Sequence, residues 1–563
     1  MMSQKPWIEN YPLGVPKNID ADRYESLPAM FLESKNKYAD RPAYENMGKV
    51  ISFAELDELS NNFASYLQNV LKLVPGDKIA IQLPNVLQNP VAMHGALKAG
   101  LVVVNTNPLY TPSEMKHQFN DSGAKAIVIV VNFASNLEKI LAETNIKHIV
   151  ITELGDLIGG LKGAIVNFVV KKVKKMVPAY SLPGAVKFKT ALSKGAAHQF
   201  NAPEIKPTDL AFLQYTGGTT GVSKGAMLTH RNLIANLQQI EAWLKQTDIQ
   251  EGKEIFIAAL PLYHIFALNA HGLLTMKIGA KNILITNPRD MAGFVKELKK
   301  HPFTLITGIN TLFNGLLNTK GFDEVDFSTV KIALAGGMAL QRVVFDKWEK
   351  VTGMKIAEAY GLTETSPALC INPMGEGNKA GTIGLPLPDS DVVLLDDEGK
   401  EVALGEKGEL CAKGPQIFDG YWQREEESKE CFINGYFKTG DIATMAENGY
   451  FKIVDRKKEM VLVSGFNVYP NEVEDAIASH PKVLEVGVIG VPDPRSNEAV
   501  KAYIVKIDDS LTEEEIKLHC RERLTPYKCP KHVAFTDELP KSNVGKILRR
   551  VIKEADLKEN NYL

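Results

Sequence analysis

The sequence has few cysteines, almost no net charge and no long apolar run. Only 5 of the 563 residues are cysteine. They lie far apart without a C-x-x-C pair, so neither a disulfide framework nor a zinc site is indicated. The 65 Lys and Arg residues nearly balance the 67 Asp and Glu residues, which leaves a net charge of −2 at pH 7 and no general attraction to nucleic acid. We expect a protein of the reducing cytoplasm with no nucleic-acid partner.

Targeting and membrane-spanning signals are also missing. The first residues, MMSQKPWIENYPLG, are polar where a signal peptide needs an apolar run, and no later stretch is long enough to cross a bilayer. We therefore expect a chain that is neither exported by an N-terminal signal nor inserted in a membrane. A hydrophobic content of 45% over 563 residues predicts a soluble protein with more than one core.

Short β-branched runs alternate with helical patterns over the first four-fifths of the chain. Ser52 and Glu55 form a capping box ahead of a helix. The runs predicted as buried parallel strands are KIAIQL at Lys78, LVVVN at Leu101, AIVIVV at Ala126, EIFIAAL at Glu254, FTLITG at Phe303, KIALAGG at Lys331 and KIAEAYG at Lys355. This alternation is typical of βαβ units and predicts an α/β fold.

The pattern changes near Asp389. Gly-punctuated short strands, including VVLL at Val392 and GELCAKG at Gly408, predict a small β-rich subdomain. The charged string DRKKEM, residues 455–460, then separates these strands from about a hundred residues that suit a separate α+β domain. We predict a linker at this string.

A string rich in glycine and threonine, YTGGTTGVSKG, starts at Tyr215. Glycines let backbone N–H groups approach an anion, hydroxyl groups add donors, and Lys224 supplies a compact positive charge for phosphate. The spacing is not that of Walker A, because Lys224 is neither directly preceded by Gly nor followed by Ser or Thr. Alone, this loop would suit a flexible surface turn as well as a polyphosphate site.

Four further strings accompany this loop in order: AYGLTETSP at Ala359, YFKTGD at Tyr436, VDRKKEMVLVSGFNVYPNEVE at Val454 and LPKSNVGKILRR at Leu539. Together the five resemble the phosphate, adenine and magnesium, ribose, hinge and catalytic-lysine motifs of the AMP-forming adenylating enzymes, which include acyl-CoA synthetases, luciferases and peptide-synthetase adenylation domains. Over nearly the whole chain the resemblance is greatest to bacterial long-chain fatty acid–CoA ligases. One departure is Ser223, where most relatives carry Pro, and it removes no ligand group.

The resemblance implies three parts and a two-step reaction. Residues 1–454 would form an AMP-binding N-terminal domain, residues 455–460 a hinge linker and residues 461–563 a mobile C-terminal domain. The enzyme would join a carboxylate to the α-phosphate of ATP with loss of pyrophosphate, and coenzyme A would then displace AMP. Both steps develop negative charge that has to be neutralised.

The same resemblance implies the residues that bind ATP and magnesium. Those implied for ATP or AMP are Thr216, Gly217, Gly218, Thr219, Thr220, Gly221, Lys224, Gly336, Gly337, Glu358, Ala359, Tyr360, Gly361, Thr363, Asp441 and Arg456. Thr216 and Glu364 would provide oxygen ligands to Mg²⁺, the donor type that this ion prefers. Taken singly, most of these residues would suit a turn, a core position or a solvated face.

Lys546 would be the catalytic residue, bridging the substrate carboxylate and the ATP phosphates. Because thioester formation needs the same space for pantetheine, the last domain has to move between the two steps. The implied pivot is Lys458, and Gly465, Phe466 and Asn467 would line the thiol tunnel.

The string PLYHIFALNAHGLL at Pro261 would border the acyl pocket, with His264 near the carboxylate and Leu268 at a gating position. We interpret His264 as a positioning residue, since a single His on an apolar helix face is more often structural than catalytic. A long acyl chain gains about 0.8 kcal/mol per buried CH₂, which favours long acids. An aryl or medium-chain acid, a carrier-protein thiol, a light-emitting oxygenase and an inactive nucleotide-binding scaffold stay open as alternatives.

Residues 157–194 carry eight lysines among apolar side chains and no acidic residue. Such a stretch could lie on the anionic cytoplasmic face of the inner membrane or simply face solvent. The expected ligands are thus a fatty acid, ATP and CoA with Mg²⁺ as cofactor. Peripheral membrane contact and a homodimer are open at this point.

Overall fold

The computed structural model describes residues 5–216, 223–542 and 545–560. The α-helices are α1 Leu27–Tyr38, α2 Phe53–Ser65, α3 Gln88–Lys98, α4 Pro112–Ser122, α5 Ala134–Ile140, α6 Gly160–Phe168, α7 Phe188–Ala196, α8 His230–Leu244, α9 Ile265–Ala267, α10 Thr275–Ile278, α11 Met291–Leu298, α12 Asn310–Leu317, α13 Arg342–Thr352, α14 Glu425–Glu430, α15 Pro470–Ala478, α16 Glu513–Arg521 and α17 Arg549–Glu559. Short 3₁₀ or π turns connect several of them, among them Val169–Val173, Leu268–Leu274 and Thr363–Thr365.

The strands are β1 Pro42–Asn46, β2 Lys49–Ser52, β3 Lys78–Gln82, β4 Val102–Asn105, β5 Ala126–Val130, β6 His148–Thr152, β7 Val186–Lys187, β8 Leu210–Thr216, β9 Lys224–Thr229, β10 Ile255–Ala258, β11 Lys281–Leu284, β12 Leu305–Gly308, β13 Ile332–Gly336, β14 Ile356–Gly361, β15 Ala368–Ile371, β16 Leu385–Pro386, β17 Asp391–Leu395, β18 Gly408–Lys413, β19 Phe432–Ile433, β20 Tyr436–Met445, β21 Phe451–Arg456, β22 Val461–Val463, β23 Phe466–Val468, β24 Val483–Asp493, β25 Asn497–Lys506 and β26 His532–Phe535.

Two large, mostly parallel sheets form the first part of the molecule. One has the order β7-β6-β5-β3-β4-β8-β9, and the other has the order β16-β15-β14-β13-β12-β10-β11-β1-β2. Each of the seven β-branched runs forms a strand, and these strands pair in parallel. Their side chains are buried on both faces because helices cover the sheets. The predicted α/β fold is confirmed.

Helix α2 shows how local sequence sets one of these covering helices. The Glu55 N–H donates to Ser52 Oγ at 3.1 Å, and Glu55 Oε2 accepts the Ser52 N–H at 2.9 Å. This reciprocal pair satisfies donors that have no partner inside the helix. Phe53, Leu56 and Phe63 then bury one face in the main core.

The small β-rich subdomain forms as predicted, and its strands are antiparallel. Its strands have the order β17-β18-β20-β19, and β21 pairs with β20. Strand β21 includes Asp455 and Arg456, so the first two residues of the predicted linker belong to this sheet. The turn that contains Lys458 follows directly.

The last part of the chain is an α+β unit with its own core. Its sheet has the order β23-β22-β25-β24, with β26 parallel to β25. Buried Val473, Ile477, Val488 and Ile504 join α15 to this sheet. Two hydrogen bonds connect the unit to α12 of the large domain: Asn314 Nδ2 donates to the Leu484 carbonyl at 3.3 Å, and Thr311 Oγ1 donates to the Gly545 carbonyl at 3.0 Å.

Across the described stretches of chain, none of the helices is both long enough and apolar enough to span a bilayer.

Candidate active site

The predicted phosphate loop connects β8 to β9, the strand at one edge of the first large sheet. Strand β8 ends at Thr216 and β9 starts at Lys224, and these two residues are paired across the antiparallel hairpin. The predicted residues Gly217, Gly218, Thr219, Thr220 and Gly221 lie outside the described residues. Lys224 Nζ lies 3.3 Å from Glu427 Oε1 and 5.5 Å from the centre of the Tyr421 ring. The lysine predicted to bind phosphate therefore already has an acidic neighbour.

Strands β13 and β14 bring together the small residues of the predicted adenine site. They pair in parallel with Gly336 opposite Ala359. A β-carbon at Gly336 would lie 3.1 Å from a Phe266 ring carbon and 3.2 Å from the Ala359 carbonyl oxygen, and Gly337 has φ +79°. A β-carbon at Gly361 would collide with the Pro367 carbonyl at 1.8 Å. Gly336 and Gly361 have close neighbours that a side chain would meet, and Gly337 has a positive φ that favours glycine.

Glu358 is held by backbone donors. Its carboxylate accepts the Gly381 N–H at 2.9 Å and the Leu340 N–H at 3.4 Å. Burial raises the pKa of Glu358 from 4.5 to about 7. The side chain of this predicted nucleotide-binding residue therefore connects β14 to the segments that contain Gly381 and Leu340.

Asp441 is the centre of a three-residue arrangement. Tyr360 Oη donates to Asp441 Oδ2 at 2.6 Å, and Arg456 Nε lies 3.1 Å from Asp441 Oδ1. The pairing of β20 with β21 places Asp441 directly opposite Arg456. Tyr360 and Asp441 are 81 positions apart in the sequence, and Arg456 lies on another strand. The structure brings these predicted adenine-stacking and ribose-binding residues together.

Glu364 lies in the 3₁₀ turn Thr363–Thr365, which follows β14 and contacts β9. Its side chain is buried, and burial raises its pKa. Tyr421 Oη donates to Glu364 Oε1 at 2.7 Å. Glu364 and Thr216 offer carboxylate and hydroxyl oxygens, so the donor chemistry of the predicted metal ligands fits Mg²⁺. Tyr421 has no recognisable sequence signal, and the sequence reasoning missed it.

His264 and Leu268 lie at the start of the apolar segment. His264 caps α9, with its Nδ1 accepting the Phe266 N–H at 3.4 Å, and Leu268 is fully buried. Burial, together with the charge of Lys546, lowers the pKa of His264 to about 4. The imidazole is therefore neutral at physiological pH, which agrees with a positioning residue.

Lys546 approaches the cleft in a tight turn. Ser542 N donates to the Lys546 carbonyl at 2.7 Å, Lys546 N donates to Ser542 Oγ at 3.1 Å, and Gly545 has φ +88°. Burial lowers the pKa of Lys546, and the nearby charge of Arg456 adds to the effect. The turn thus brings the predicted catalytic ammonium group into the electrostatic range of Arg456 and His264.

The residues predicted to line the thiol tunnel lie in the β22–β23 hairpin of the C-terminal domain. Gly465, with φ +85°, connects β22 to β23, which carries Phe466 and Asn467. Phe466 is 56% exposed and stacks on Tyr527 of the same domain at 4.8 Å. In this arrangement these residues contact their own domain, while Lys546 lies near Asp441 and Arg456, two residues predicted to bind the nucleotide.

Arg549 ties the C-terminal helix to the linker, and the sequence reasoning did not single it out. Arg549 Nη1 lies 3.1 Å from Asp455 Oδ1 and 2.6 Å from Glu459 Oε2, and Nη2 lies 2.6 Å from Glu474 Oε2. Asp455 and Glu474 are carboxylates whose pKa is raised by burial. One guanidinium therefore forms ion pairs with three acidic groups from the linker and α15.

A large α/β domain with the predicted nucleotide-binding residues near its strand ends, and a small α+β domain that carries Lys546 beside them, have the architecture of the adenylating-enzyme fold. The family described as AMP-binding enzyme matches residues 31–422, and the AMP-binding enzyme C-terminal domain matches residues 472–546. ATP-bound MatB from Rhodopseudomonas palustris superimposes with a TM-score of 0.79 at 27% identity, over 94% of this chain and 99% of that one.

Two similar proteins show to which group within this family the chain belongs. The chain is 55% identical over 551 residues to a long-chain-fatty-acid–CoA ligase of Escherichia coli O6:H1, covering 98% of each chain. It is 54% identical over 555 residues to a protein of the same name from Yersinia pestis, covering 99% of each. The chain belongs to the AMP-binding enzyme family and, within it, to the bacterial long-chain-fatty-acid–CoA ligases.

Proposed function

We propose that this protein joins a long-chain fatty acid to coenzyme A at the expense of ATP. A carboxylate oxygen attacks the α-phosphorus of ATP, the bond to the β-phosphate breaks and pyrophosphate leaves. The thiol of CoA then attacks the acyl carbon of the acyl-AMP, and AMP leaves. Identity above 50% along the full chain with relatives that bear this activity in their name supports the proposal.

The observation that carries the first step is the docked turn of Lys546. The ammonium group lies close enough to Asp441 and Arg456, which are paired on β20 and β21, and to His264 for their charges to affect one another. A point-like positive charge suits the place where a carboxylate meets a phosphate, because the two anions repel each other until that charge is neutralised. Lys546 is thus proposed as the catalytic residue.

The nucleotide would lie against the strand ends described above. Tyr360 offers a ring for adenine, Asp441 accepts hydrogen bonds from ribose hydroxyls, and Lys224 binds the terminal phosphates. Each of these side chains has an internal partner: Tyr360 and Arg456 hold Asp441, and Glu427 holds Lys224. Such partners orient the groups before ATP arrives, which lowers the cost of ordering them on binding.

Thr216 and Glu364 would hold Mg²⁺ with their oxygens. When bound, the ion neutralises charge on the phosphates. Glu364 contributes a carboxylate from a rigid turn, and Thr216 contributes a hydroxyl from the strand that leads into the phosphate loop.

The second step needs the space that Lys546 occupies. We propose that rotation at Lys458 withdraws Lys546 and brings Gly465, Phe466 and Asn467 to the cleft, where they line the pantetheine channel. The domain division at residues 455–460 belongs to the same proposal. The exposure of Phe466 supports it, since the part of this apolar ring that faces solvent can form a new contact.

Pyrophosphate release with a panel of acids tests the function. We expect release with long-chain acids, weaker release with medium-chain and aryl acids, and thioester only when CoA is added. Lys546→Ala should lose pyrophosphate release by more than about a hundredfold, the range seen when one preorganised charge-stabilising group is removed. Lys553→Ala, a lysine of the same domain paired with Glu498 at 3.2 Å, is the matched control. Absence of release with every acid would contradict the proposal.

We also propose that the protein binds the anionic surface of the inner membrane through the segment 161–176. Large apolar side chains are exposed along α6 and the following π turn, including Leu161 at 79% and Phe168 at 61%. Exposed lysines alternate with these side chains at positions 162, 171, 172, 174 and 175. Apolar side chains can enter the lipid interface while lysines contact anionic headgroups, at about 1 kcal/mol per lysine.

Flotation with liposomes tests this contact. Reversal of the charges at Lys171, Lys172 and Lys174 to Glu should abolish binding to vesicles that contain anionic lipid. Reversal of the exposed Lys347 and Lys350 in α13 is the control and should leave flotation unchanged. Equal flotation of both variants would contradict the proposed membrane contact. It would leave the proposed reaction unaffected.

A further inference from the structure

A short segment of the β-rich subdomain connects the two elements that carry Lys224 and Glu364. The Met227 N–H donates to the Gly420 carbonyl at 3.0 Å, and the Trp422 N–H donates to the Gly225 carbonyl at 2.8 Å. Residues 420–422 therefore lie antiparallel beside β9, next to the end that carries Lys224. On its other side the segment reaches the turn of Glu364, because the Phe418 N–H donates to the Glu364 carbonyl at 2.9 Å.

The side chain of Tyr421 lies between these two charged groups. Its hydroxyl donates to Glu364 Oε1 at 2.7 Å, and its ring centre lies 5.5 Å from Lys224 Nζ. Phe418 packs edge-on against the same ring at 4.9 Å, which restricts its rotation. A single half-buried side chain thus contacts both the predicted metal ligand and the predicted phosphate-binding lysine.

We propose that Tyr421 is a positioning residue for phosphate and metal binding: its hydroxyl fixes the orientation of the Glu364 carboxylate, and its ring provides a face for Lys224. This inference rests on the proposed function. Tyr421 acts through Glu364 and Lys224, so it needs no contact with the reacting atoms. Hydrogen-bond partners of a metal-binding carboxylate orient it, and their loss commonly costs about 10- to 100-fold in metal affinity or activity.

A purely structural role would give a different result. If Tyr421 only packed the subdomain, loss of its hydroxyl would lower the stability of the protein. Its activity would then fall by the same factor at every Mg²⁺ concentration. If it orients Glu364, the loss would appear as a higher Mg²⁺ requirement, which excess Mg²⁺ largely overcomes. The two roles are therefore separated by the dependence on Mg²⁺.

The test uses Tyr421→Phe in the full-length protein. This variant keeps the ring over Lys224 and removes the donor to Glu364. We expect the Mg²⁺ concentration for half-maximal pyrophosphate release to rise by about 10- to 100-fold, with the KM for the fatty acid unchanged. An independent readout is equilibrium binding of a fluorescent ATP analogue: its Mg²⁺-dependent gain in affinity should fall by a similar factor, while AMP binding stays the same.

Tyr24→Phe is the matched control, because Tyr24 Oη donates to the carboxylate of Glu33 at 3.1 Å and lies in a part of the molecule to which no nucleotide role is assigned. It should leave the Mg²⁺ dependence unchanged. A second variant, Glu364→Gln, completes a double-mutant cycle. If Tyr421 acts through Glu364, adding Tyr421→Phe to Glu364→Gln should change the nucleotide-binding readout by less than about twofold.

Two outcomes would overturn the inference. One is an unchanged Mg²⁺ dependence in Tyr421→Phe. The other is full additivity of the two substitutions in the cycle. If the wild-type protein released no pyrophosphate with any acid, the proposed function would fail, yet the binding of the ATP analogue would still decide whether Tyr421 positions Glu364.

Discussion

Gly545→Ala should slow the first half-reaction and spare the second. Gly545 precedes Lys546 and docks against the large domain, where its carbonyl accepts from Thr311 Oγ1 at 3.0 Å. A β-carbon at this position would lie 2.9 Å from Ile309 Cδ1 and 2.9 Å from Thr311 Oγ1. Both atoms belong to the large domain, so the collision exists only while the turn is docked.

The expected size follows from these contacts. Overpacking a buried contact costs about 1–3 kcal/mol, and a weakened hydrogen bond from Thr311 adds about 1 kcal/mol. Together they disfavour the docked arrangement by about 2–4 kcal/mol, which corresponds to roughly 30- to 1000-fold in the adenylation rate. Thioester formation from supplied acyl-AMP does not need the docked turn and should change much less.

The assay compares pyrophosphate release with the consumption of CoA thiol by supplied acyl-AMP. Gly76→Ala is the control for backbone strain, because Gly76 has a similar φ of +85° and no atom within 4 Å of an added carbon. Adding Ile309→Val, which removes the Cδ1 atom, should restore part of the adenylation rate. Equal slowing of both half-reactions, or no slowing of either, would refute the reasoning.

Three further predictions concern charge and the hinge. Burial raises the pKa of Glu358 from 4.5 to about 7, so its stabilising contribution is complete below pH 4.5 and is lost as the pH rises to 7. Thermal unfolding should therefore show the wild type losing up to about 3 kcal/mol relative to Glu358→Gln over this range, and parallel pH profiles would contradict this. Lys458→Pro should slow thioester formation far more than pyrophosphate release, and equal effects would argue against a pivot. Arg549→Met should destabilise the C-terminal unit by about 3–5 kcal/mol, because it leaves paired acidic groups without their cation; unchanged limited proteolysis would contradict this.

Local sequence patterns were sufficient to predict the α/β fold class and many of its strands. The β-branched runs became parallel strands because residues buried on both faces of a sheet have to be apolar along their whole length. The Ser52 and Glu55 pair became a helix start because its hydrogen bonds are made within four residues. The small β-rich subdomain also followed from nearby residues, whereas the two strands beside the predicted phosphate loop were not predicted.

Contacts between distant segments needed the tertiary structure. Tyr421 and Glu364 are 57 positions apart, and no local pattern marks a tyrosine whose importance comes from the carboxylate it meets. Arg549 similarly became notable only when three acidic groups of the linker and α15 surrounded it.

By itself, the sequence determined the fold class, the family and the order of the motifs, because these depend on short-range periodicity and on residue types at fixed spacing. Only the tertiary structure decided that Lys546 lies near Asp441 and Arg456 while Phe466 stacks on Tyr527 of its own domain. It also decided that Asp441, Glu364 and Lys224 each meet an internal partner. The physical reason is that charge, burial and hydrogen bonding act through space, so the environment of a side chain is set by neighbours that its own stretch of sequence does not contain.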